Sequence, residues 1–189
     1  MLEKTTTTIP EVLLLRPRVF EDARGFFMQT YHEQEFAAVG IRDRFVQDNH
    51  SKSQRGTIRG LHYQLRYPQS KLCRVVAGEV LDVAVDIRVG SPTFGKHVAA
   101  VLSAENKLQI YIPGGFAHGF AVLSGTCEFL YKCGDFYRPE DEQGVRFDDP
   151  ALDVDWRVAT PLFSPKDSAY RALSEIDPAQ LPRYGSNSS

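Results

Sequence analysis

A histidine and a lysine between Gly56 and Gly78 are the residues of this chain whose types and spacing most directly indicate chemistry. His62 and Gln64 are separated by one residue in a segment that reads as extended, so their side chains share one face of a strand. An imidazole exchanges protons near neutral pH, and an ammonium group such as that of Lys71 stabilises a developing anion. The segment therefore indicates proton transfer, although a histidine taken alone is more often a buried, hydrogen-bonded core residue.

The same spacing matches the first metal-binding motif of the cupins, small β-barrels in which two histidines and a glutamate hold a metal. Here Gly56 and five residues lead to His62, but Gln64 replaces the second histidine. Lys71 stands in the glutamate position, separated from Gly78 by six residues. An ammonium repels a divalent cation and an amide is a poor ligand for a transition metal. We therefore expect no metal and no other cofactor, with His62 and Lys71 facing the interior of a barrel.

His118 matches the second cupin motif, in which a histidine follows a Pro-x-Gly turn. The turn is Pro113 to Gly115, and Val122 replaces the asparagine that closes the motif. By itself His118 is equally well a structural residue beside a turn. Two such spacings in the correct order are more specific than either one alone.

Other residues of chemical interest are two tyrosines, one aspartate and a group of arginines. Tyr131 and Tyr137 carry phenols that are able to donate protons, although packing in a barrel is their commoner role. Asp167 is either an acid at a helix N-terminus or a partner that orients His62. The arginines give the N-terminal third a basic bias that suits phosphate, which is a weak signal: Arg16, Arg18, Arg24, Arg55 and Arg59.

Composition favours a single ordinary globular domain. The chain has 189 residues, of which 42% are hydrophobic, and a formal net charge of −2. We predict one domain over 1–189, with a partly disordered tail over about 176–189. The charge gives no reason to expect nucleic acid or a membrane as a partner.

Localisation is predicted from what the sequence lacks. The chain has only three cysteines, a small and odd number that does not indicate a disulfide framework. The polar, Thr-rich start lacks the apolar core of a signal peptide, and no long apolar run follows. We therefore expect a reduced, cytoplasmic protein.

Short apolar runs punctuated by glycine and proline predict a β-rich fold. The clearest is 72–76, a turn at Ala77-Gly78, and 80–87, which reads as a hairpin. In its second arm Val83, Val85 and Ile87 share one face, and Asp82 and Asp86 share the other. The other predicted strands are 12–15, 26–31, 45–50, 57–65, 94–102, 108–112, 116–123 and 127–132, and the predicted short helices are 32–39 and 166–175. This pattern predicts an all-β fold, a cupin jelly roll (double-stranded β-helix) with a few short helices.

Beyond the two motifs, the chain resembles the dTDP-4-dehydrorhamnose 3,5-epimerases, a metal-independent cupin family. The matching segments span most of the chain in family order and are DARGFF (22–27), FVQDNHS (45–51), RGLHYQ (59–64), GFAHGF (115–120), YK (131–132) and KD (166–167). The resemblance implies catalytic roles for four residues. His62 is the general base paired with Asp167, Tyr131 is the general acid, and Lys71 stabilises an enolate oxygen.

The resemblance also implies a dTDP-sugar substrate and a homodimer with N-terminal strand exchange. Tyr137 matches a residue that stacks on thymine. The implied substrate-binding residues are Arg24, Phe27, Gln29, Gln47, Asn49, Arg59, His118, Tyr137, Glu142 and Lys166. Two positions depart from the family: Gln29 replaces an acid, and Ser70 replaces the glycine that commonly precedes the lysine.

The expected reaction is inversion at C3 and C5 of dTDP-4-dehydro-6-deoxy-D-glucose, giving dTDP-4-dehydro-L-rhamnose for dTDP-rhamnose biosynthesis. The C4 carbonyl acidifies both carbons, so one base and one acid on opposite faces of the sugar suffice. The alternatives are an epimerase acting at one carbon or a ketoisomerase of related sugars, a non-catalytic sugar-nucleotide-binding cupin, and a metal-dependent cupin dioxygenase.

Overall fold

The computed structural model describes residues 2–185 and shows a jelly roll, which confirms the predicted fold class. Its strands are β1 (Glu3–Thr6), β2 (Leu13–Arg16), β3 (Val19–Asp22), β4 (Gly25–Met28), β5 (Gln47–Gln54), β6 (Ile58–Gln64), β7 (Lys71–Ala77), β8 (Glu79–Asp86), β9 (His97–Ser103), β10 (Gln109–Ile112), β11 (Phe116–Val122), β12 (Thr126–Cys133) and β13 (Glu142–Gly144). The helices are α1 (Glu33–Ala38), α2 (Pro165–Ser168) and two 3-10 turns, Leu173–Glu175 and Pro178–Gln180.

Two antiparallel sheets face each other. The first has the order β1-β2-β10-β7-β12-β5 and the second β13-β6-β11-β8-β9, while β3 and β4 form a separate two-stranded ribbon. Side chains from both sheets fill the space between them, where the rings of Phe120 and Phe129 stack with centroids 4.2 Å apart. Because the chain crosses repeatedly between the two sheets from β5 to β13, residues distant in the sequence face one interior.

The predicted hairpin at Gly78 is wrong, although its two strands and the turn are present. β7 pairs with β10 and β12 in the first sheet, whereas β8 pairs with β9 and β11 in the second. The turn crosses between sheets and requires glycine, because φ is +78° and a Cβ would lie 2.1 Å from the carbonyl oxygen of Thr126. Local periodicity identifies strands, but the pairing partner is decided by long-range packing.

The outer face of the second sheet is also buried, beneath the C-terminal part of the chain. Val83, Val85 and Ile87 pack there against Trp156 and Leu181. Residues 176–185, the first part of the predicted tail, pack on this sheet through Ile176 and Leu181 and include the 3-10 turn Pro178–Gln180. The remainder of the predicted tail, 186–189, lies outside the described residues.

Of the two predicted helices, the structure confirms one and shows that the other is much shorter. Helix α1 confirms the prediction over 32–39 to within a residue at each end. The predicted helix over 166–175 is instead one turn, α2, followed by an irregular stretch and the 3-10 turn at Leu173–Glu175. No helix among residues 2–185 is long and apolar enough to cross a membrane.

A close approach of β6 and β11 sets the position of the motif histidines. Gly60 has a φ of +107°, and a Cβ there would lie 2.5 Å from the carbonyl oxygen of His118. Only glycine fits this conformation and this distance. The contact lies beside the register position at which His62 and His118 are direct cross-strand partners.

Candidate active site

A cavity of about 600 Å³ lies between the sheets and is lined by residues of both. Most of the predicted site residues line it: Gln47, Asn49, Arg59, His62, Lys71, His118, Tyr131, Tyr137, Glu142, Lys166 and Asp167. The fold thereby gathers residues that are up to 120 positions apart in the sequence into one concave site. All four residues assigned to proton transfer are among them.

His62 and Asp167, which the sequence could not bring together, are in contact. Nε2 of His62 lies 2.6 Å from Oδ1 of Asp167. Asp167 occupies the first turn of α2, where the Ser164 hydroxyl donates to its other oxygen at 2.8 Å. Burial would raise the pKa of Asp167, but the hydrogen bonds from His62 and Ser164 outweigh it and hold that pKa below its usual range. An ionised carboxylate therefore orients the imidazole and leaves Nδ1 for another partner.

Glu142 lies on the other side of the His62 ring, and sequence reasoning gave it no part in proton transfer. Strand β13 pairs with β6 and places an oxygen of Glu142 3.7 Å from Nδ1 of His62. The Tyr137 hydroxyl donates to Glu142 at 3.0 Å, and the ammonium of Lys166 forms an ion pair with the same oxygen. Burial would raise the pKa of Glu142, but Lys166, His62 and Tyr137 together lower it. The sequence gives no signal for this contact, because it depends on the register of the three-residue strand β13.

Tyr131 approaches the cavity from the opposite sheet. It lies on β12, paired with Asn49 on β5 and Cys73 on β7. Burial raises the pKa of Tyr131 to about 12, and the nearby Cys133, Cys73 and Glu142 add to this effect. The phenol is consequently protonated at neutral pH, which is the state that a proton donor requires. His62 and Tyr131 are thus a base-type group and an acid-type group on opposite walls.

Lys71 supplies a positive charge to the same cavity. It is the first residue of β7 and pairs in register with Cys133 and Ile112. Within residues 2–185 its ammonium has no ion-pair partner. An uncompensated ammonium beside a partly closed cavity is suited to an anion that forms there.

His118 forms a second histidine–carboxylate pair deeper in the fold. Its Nε2 lies 3.0 Å from Oδ2 of the fully buried Asp82 and 3.9 Å from Sγ of Cys73. Burial lowers the pKa of His118, and the contact with Asp82 offsets part of that decrease. The face of β8 that carries Asp82 and Asp86 is therefore buried, with Asp86 held by Arg88.

Gln64, in the position of the second metal-motif histidine, is a structural clamp. Its buried amide donates to the carbonyl oxygens of Tyr67 and Phe136 and accepts from the backbone N–H of Arg138. The clamp fixes the loop that carries Tyr137, whose backbone N–H also donates to Gln47 at 2.9 Å. Tyr137 is thereby presented at the cavity mouth with 45% of its surface exposed.

Three predicted substrate-binding residues lie outside the cavity of this chain. Arg24, Phe27 and Gln29 belong to or adjoin the β3–β4 ribbon, where all three are exposed. The other departure from the family, Ser70, is buried with its hydroxyl against Gly134 and does not line the cavity. The single chain therefore brings together the proton-transfer residues but leaves part of the predicted binding set on its surface.

Comparison with known proteins agrees with this geometry. A family model described as dTDP-4-dehydrorhamnose 3,5-epimerase matches residues 6–175. The chain is 53% identical to a protein of that name from Pseudomonas aeruginosa over 178 residues, which are 93% of this chain and 98% of the relative. A 3,5-epimerase from Legionella pneumophila, solved in complex with dTDP-4-keto-L-rhamnose, superposes with a TM-score of 0.95 at 50% identity, covering 97% of this chain and 99% of that one.

One more distant relative bears a different name. A dTDP-4-dehydrorhamnose 3-epimerase from Streptomyces niveus is 39% identical over 173 residues, covering 90% of this chain and 84% of the relative. The family match covers nearly all of the chain, including every element that lines the cavity. The chain belongs to the dTDP-4-dehydrorhamnose 3,5-epimerase family.

Proposed function

We propose that this protein is an isomerase that converts dTDP-4-dehydro-6-deoxy-D-glucose to dTDP-4-dehydro-L-rhamnose by inverting C3 and C5, a step of dTDP-rhamnose biosynthesis. The observation that carries the proposal is the placement of His62, held by Asp167, and protonated Tyr131 on opposite walls of one cavity. Inversion needs a base on one face of the sugar and an acid on the other. Simple binding of a nucleotide sugar needs neither.

Each inversion proceeds through an enolate. His62 takes the proton from the carbon next to the C4 carbonyl, and the electron pair of that C–H bond moves onto the carbonyl oxygen. The resulting oxyanion is stabilised by Lys71. Tyr131 then donates its phenolic proton to the opposite face of the carbon, and the carbonyl re-forms. The imidazolium and the phenolate left behind return to their starting states by proton exchange with solvent.

The cavity mouth is suited to the nucleotide. Tyr137 offers an exposed ring for stacking on the pyrimidine, while Arg59 and Lys166 supply positive charge for the pyrophosphate. Gln47 and Asn49 are linked by a 3.0 Å hydrogen bond and line the same wall. His118, whose second ring nitrogen has no protein partner in the described part of the chain, also lines the cavity.

Turnover in deuterium oxide tests the function. We expect solvent deuterium at both C3 and C5 of the product, and we expect a downstream 4-ketoreductase to reduce that product. Deuterium at a single carbon would favour the one alternative with support of its own, a mono-epimerase, since the Streptomyces niveus relative bears the name of a 3-epimerase. Binding without exchange at either carbon, or a stoichiometric transition metal in the purified protein, would contradict the proposal.

We propose further that the protein acts as a homodimer whose β3–β4 ribbons exchange between subunits. The ribbon presents Phe20, Phe26 and Phe27 with 49%, 58% and 69% of their surfaces exposed, which is unusual for three neighbouring aromatic residues. Arg24 stands at its turn. A symmetric dimer would bury this ribbon twice and carry Arg24, Phe27 and Gln29 to the partner's cavity.

Complementation between two defective variants tests the exchange. One variant combines Arg24→Ala with Phe27→Ala, and the other is His62→Ala. In a mixed dimer one site receives an intact His62 from its own chain and an intact ribbon from its partner. Random mixing is therefore expected to recover about a quarter of the wild-type activity. Sedimentation gives the mass of the assembly, and absence of recovery in proven mixed dimers would place the ribbon's action within its own chain.

We propose a cytoplasmic location, with neither nucleic acid nor membrane as a partner. The described structure contains three buried, unpaired cysteines, a composition favoured in a reducing compartment. The near-neutral net charge of −2 offers no general attraction to polyanions. Fractionation of the native host tests the location, and recovery of the protein in the periplasmic fraction or with membranes would contradict it.

A further inference from the structure

We propose that Glu142 is an electrostatic positioning residue for the reaction: its carboxylate favours the protonated form of His62, and Lys166 limits that effect. This inference rests on the proposed function, because it assigns how the base of that reaction is controlled. It goes beyond a binding role for Glu142. It also predicts that Glu142 and Lys166, although ion-paired, act on the base with opposite signs.

The geometry begins with the two nitrogens of the imidazole. Nε2 of His62 is held by Asp167 at 2.6 Å, so Nδ1 must be the nitrogen that takes the proton from the sugar carbon. Oε1 of Glu142 lies 3.7 Å from this Nδ1. This distance is too long for a good hydrogen bond but short enough for a strong charge interaction in a partly buried site. The imidazolium that forms in the reaction thus lies between two carboxylates.

Glu142 is held ionised and in place by its other partners. Oε2 accepts from the Tyr137 hydroxyl and pairs with Lys166, which leaves Oε1 directed at His62. The Glu142 side chain is only 12% exposed, whereas that of Lys166 is 52% exposed. Solvent therefore screens the lysine more than the carboxylate, and the net effect at His62 is that of a negative charge.

Other charged and titratable groups also face His62. Asp167 and Lys166 come from α2, His118 from β11 as the cross-strand partner, and Tyr170 from the segment after α2, with ring centroids 5.7 Å apart. Asp167 acts in the same direction as Glu142, and protonation of His118 would act in the opposite direction. Glu142 differs from Asp167 because it faces the nitrogen that reacts. Its charge also contributes, after burial and the nearby Cys133 and Cys73, to the raised pKa of Tyr131.

Paired substitutions test the inference without relying on activity. The ring nitrogens of His62 are titrated by long-range proton–nitrogen NMR in the unliganded protein. We expect the midpoint in Glu142→Gln to fall by about 0.5 to 1 pH unit, since a charge near 4 Å is removed while the shape and the hydrogen-bond acceptor remain. We expect the midpoint in Lys166→Met to rise, by about half a unit, because the carboxylate loses its counter-charge.

The rate profile gives a second readout. The acid limb of kcat/KM against pH reports protonation of the base, so it should move to lower pH in Glu142→Gln and to higher pH in Lys166→Met. Glu140→Gln is the matched control, because it removes an exposed carboxylate from the same loop region and should move neither midpoint nor limb. Circular dichroism confirms that each variant is folded.

The outcomes separate this inference from the proposed function. Unchanged midpoints in both variants, or shifts of the same sign, would overturn the role of Glu142 even if the enzyme epimerises as proposed. Opposite shifts in a protein that exchanges no deuterium would support the electrostatic coupling and contradict the epimerase assignment. A loss of activity confined to KM would reduce Glu142 to a binding residue.

Discussion

Replacing His62 with alanine is expected to lower kcat by about 10³-fold and to abolish deuterium exchange at both C3 and C5. His62 and His118 both line the cavity beside a carboxylate, but the His62 side chain is 28% exposed whereas that of His118 is 6% exposed, so His62 is the histidine that a substrate can reach. Removing the base stops the first proton transfer, so neither inversion nor exchange proceeds. Loss of one without the other would be inconsistent with a single shared base.

The matched control is His97→Ala. His97 lies on the edge strand β9, outside the cavity, so its removal should leave both rates within a factor of two or so of wild type. Asp167→Asn should give an intermediate loss, because the ring remains but its orientation and charge support weaken. A His62→Ala variant that exchanges deuterium as fast as wild type would show that another group removes the proton.

Replacing Tyr131 with phenylalanine is expected to separate exchange from inversion. The phenol is the proton donor on the wall opposite His62, and burial keeps it protonated. Without it, His62 still removes the proton and returns solvent deuterium to the same face. We therefore expect formation of the inverted product to fall by about 10² to 10³-fold while deuterium appears in recovered substrate.

Nuclear magnetic resonance of the recovered sugar measures both quantities in one sample. Tyr184→Phe serves as the control, since it deletes a phenol that lies against Arg88 away from the cavity. Equal losses of exchange and inversion in Tyr131→Phe would assign Tyr131 to substrate orientation instead. Inversion at the wild-type rate would identify a different acid.

More of the fold could be predicted from the sequence than of the contacts within the site. Strands such as β11 and β12 were predictable because each is an apolar run between turn residues. The two cupin motif spacings then indicated a barrel. Which strands pair with one another was harder to predict. The turn at Gly78 was predicted correctly, but whether it joins two strands of one sheet or strands of two sheets depends on residues distant in the sequence. Local patterns carry no information about which sheet edge is already occupied.

The same limit applies within the site. Resemblance, not spacing, linked His62 to Asp167, because only the folded chain brings residues 105 positions apart into contact. The proximity of Glu142 to His62 depends on the register of the short strand β13, which no periodic pattern reveals. Conversely, Arg24 matched a binding position in sequence but lies on the exposed β3–β4 ribbon, outside the cavity of its own chain.

The clamp formed by Gln64 has a consequence for the engineering of this barrel. A histidine at this position would have one donor and one acceptor at most, whereas the amide serves two carbonyl oxygens and one N–H at once. Placing a histidine at position 64 would therefore release hydrogen bonds that hold the loop presenting Tyr137. Converting this epimerase into a metalloenzyme would require rebuilding that loop as well as exchanging ligands.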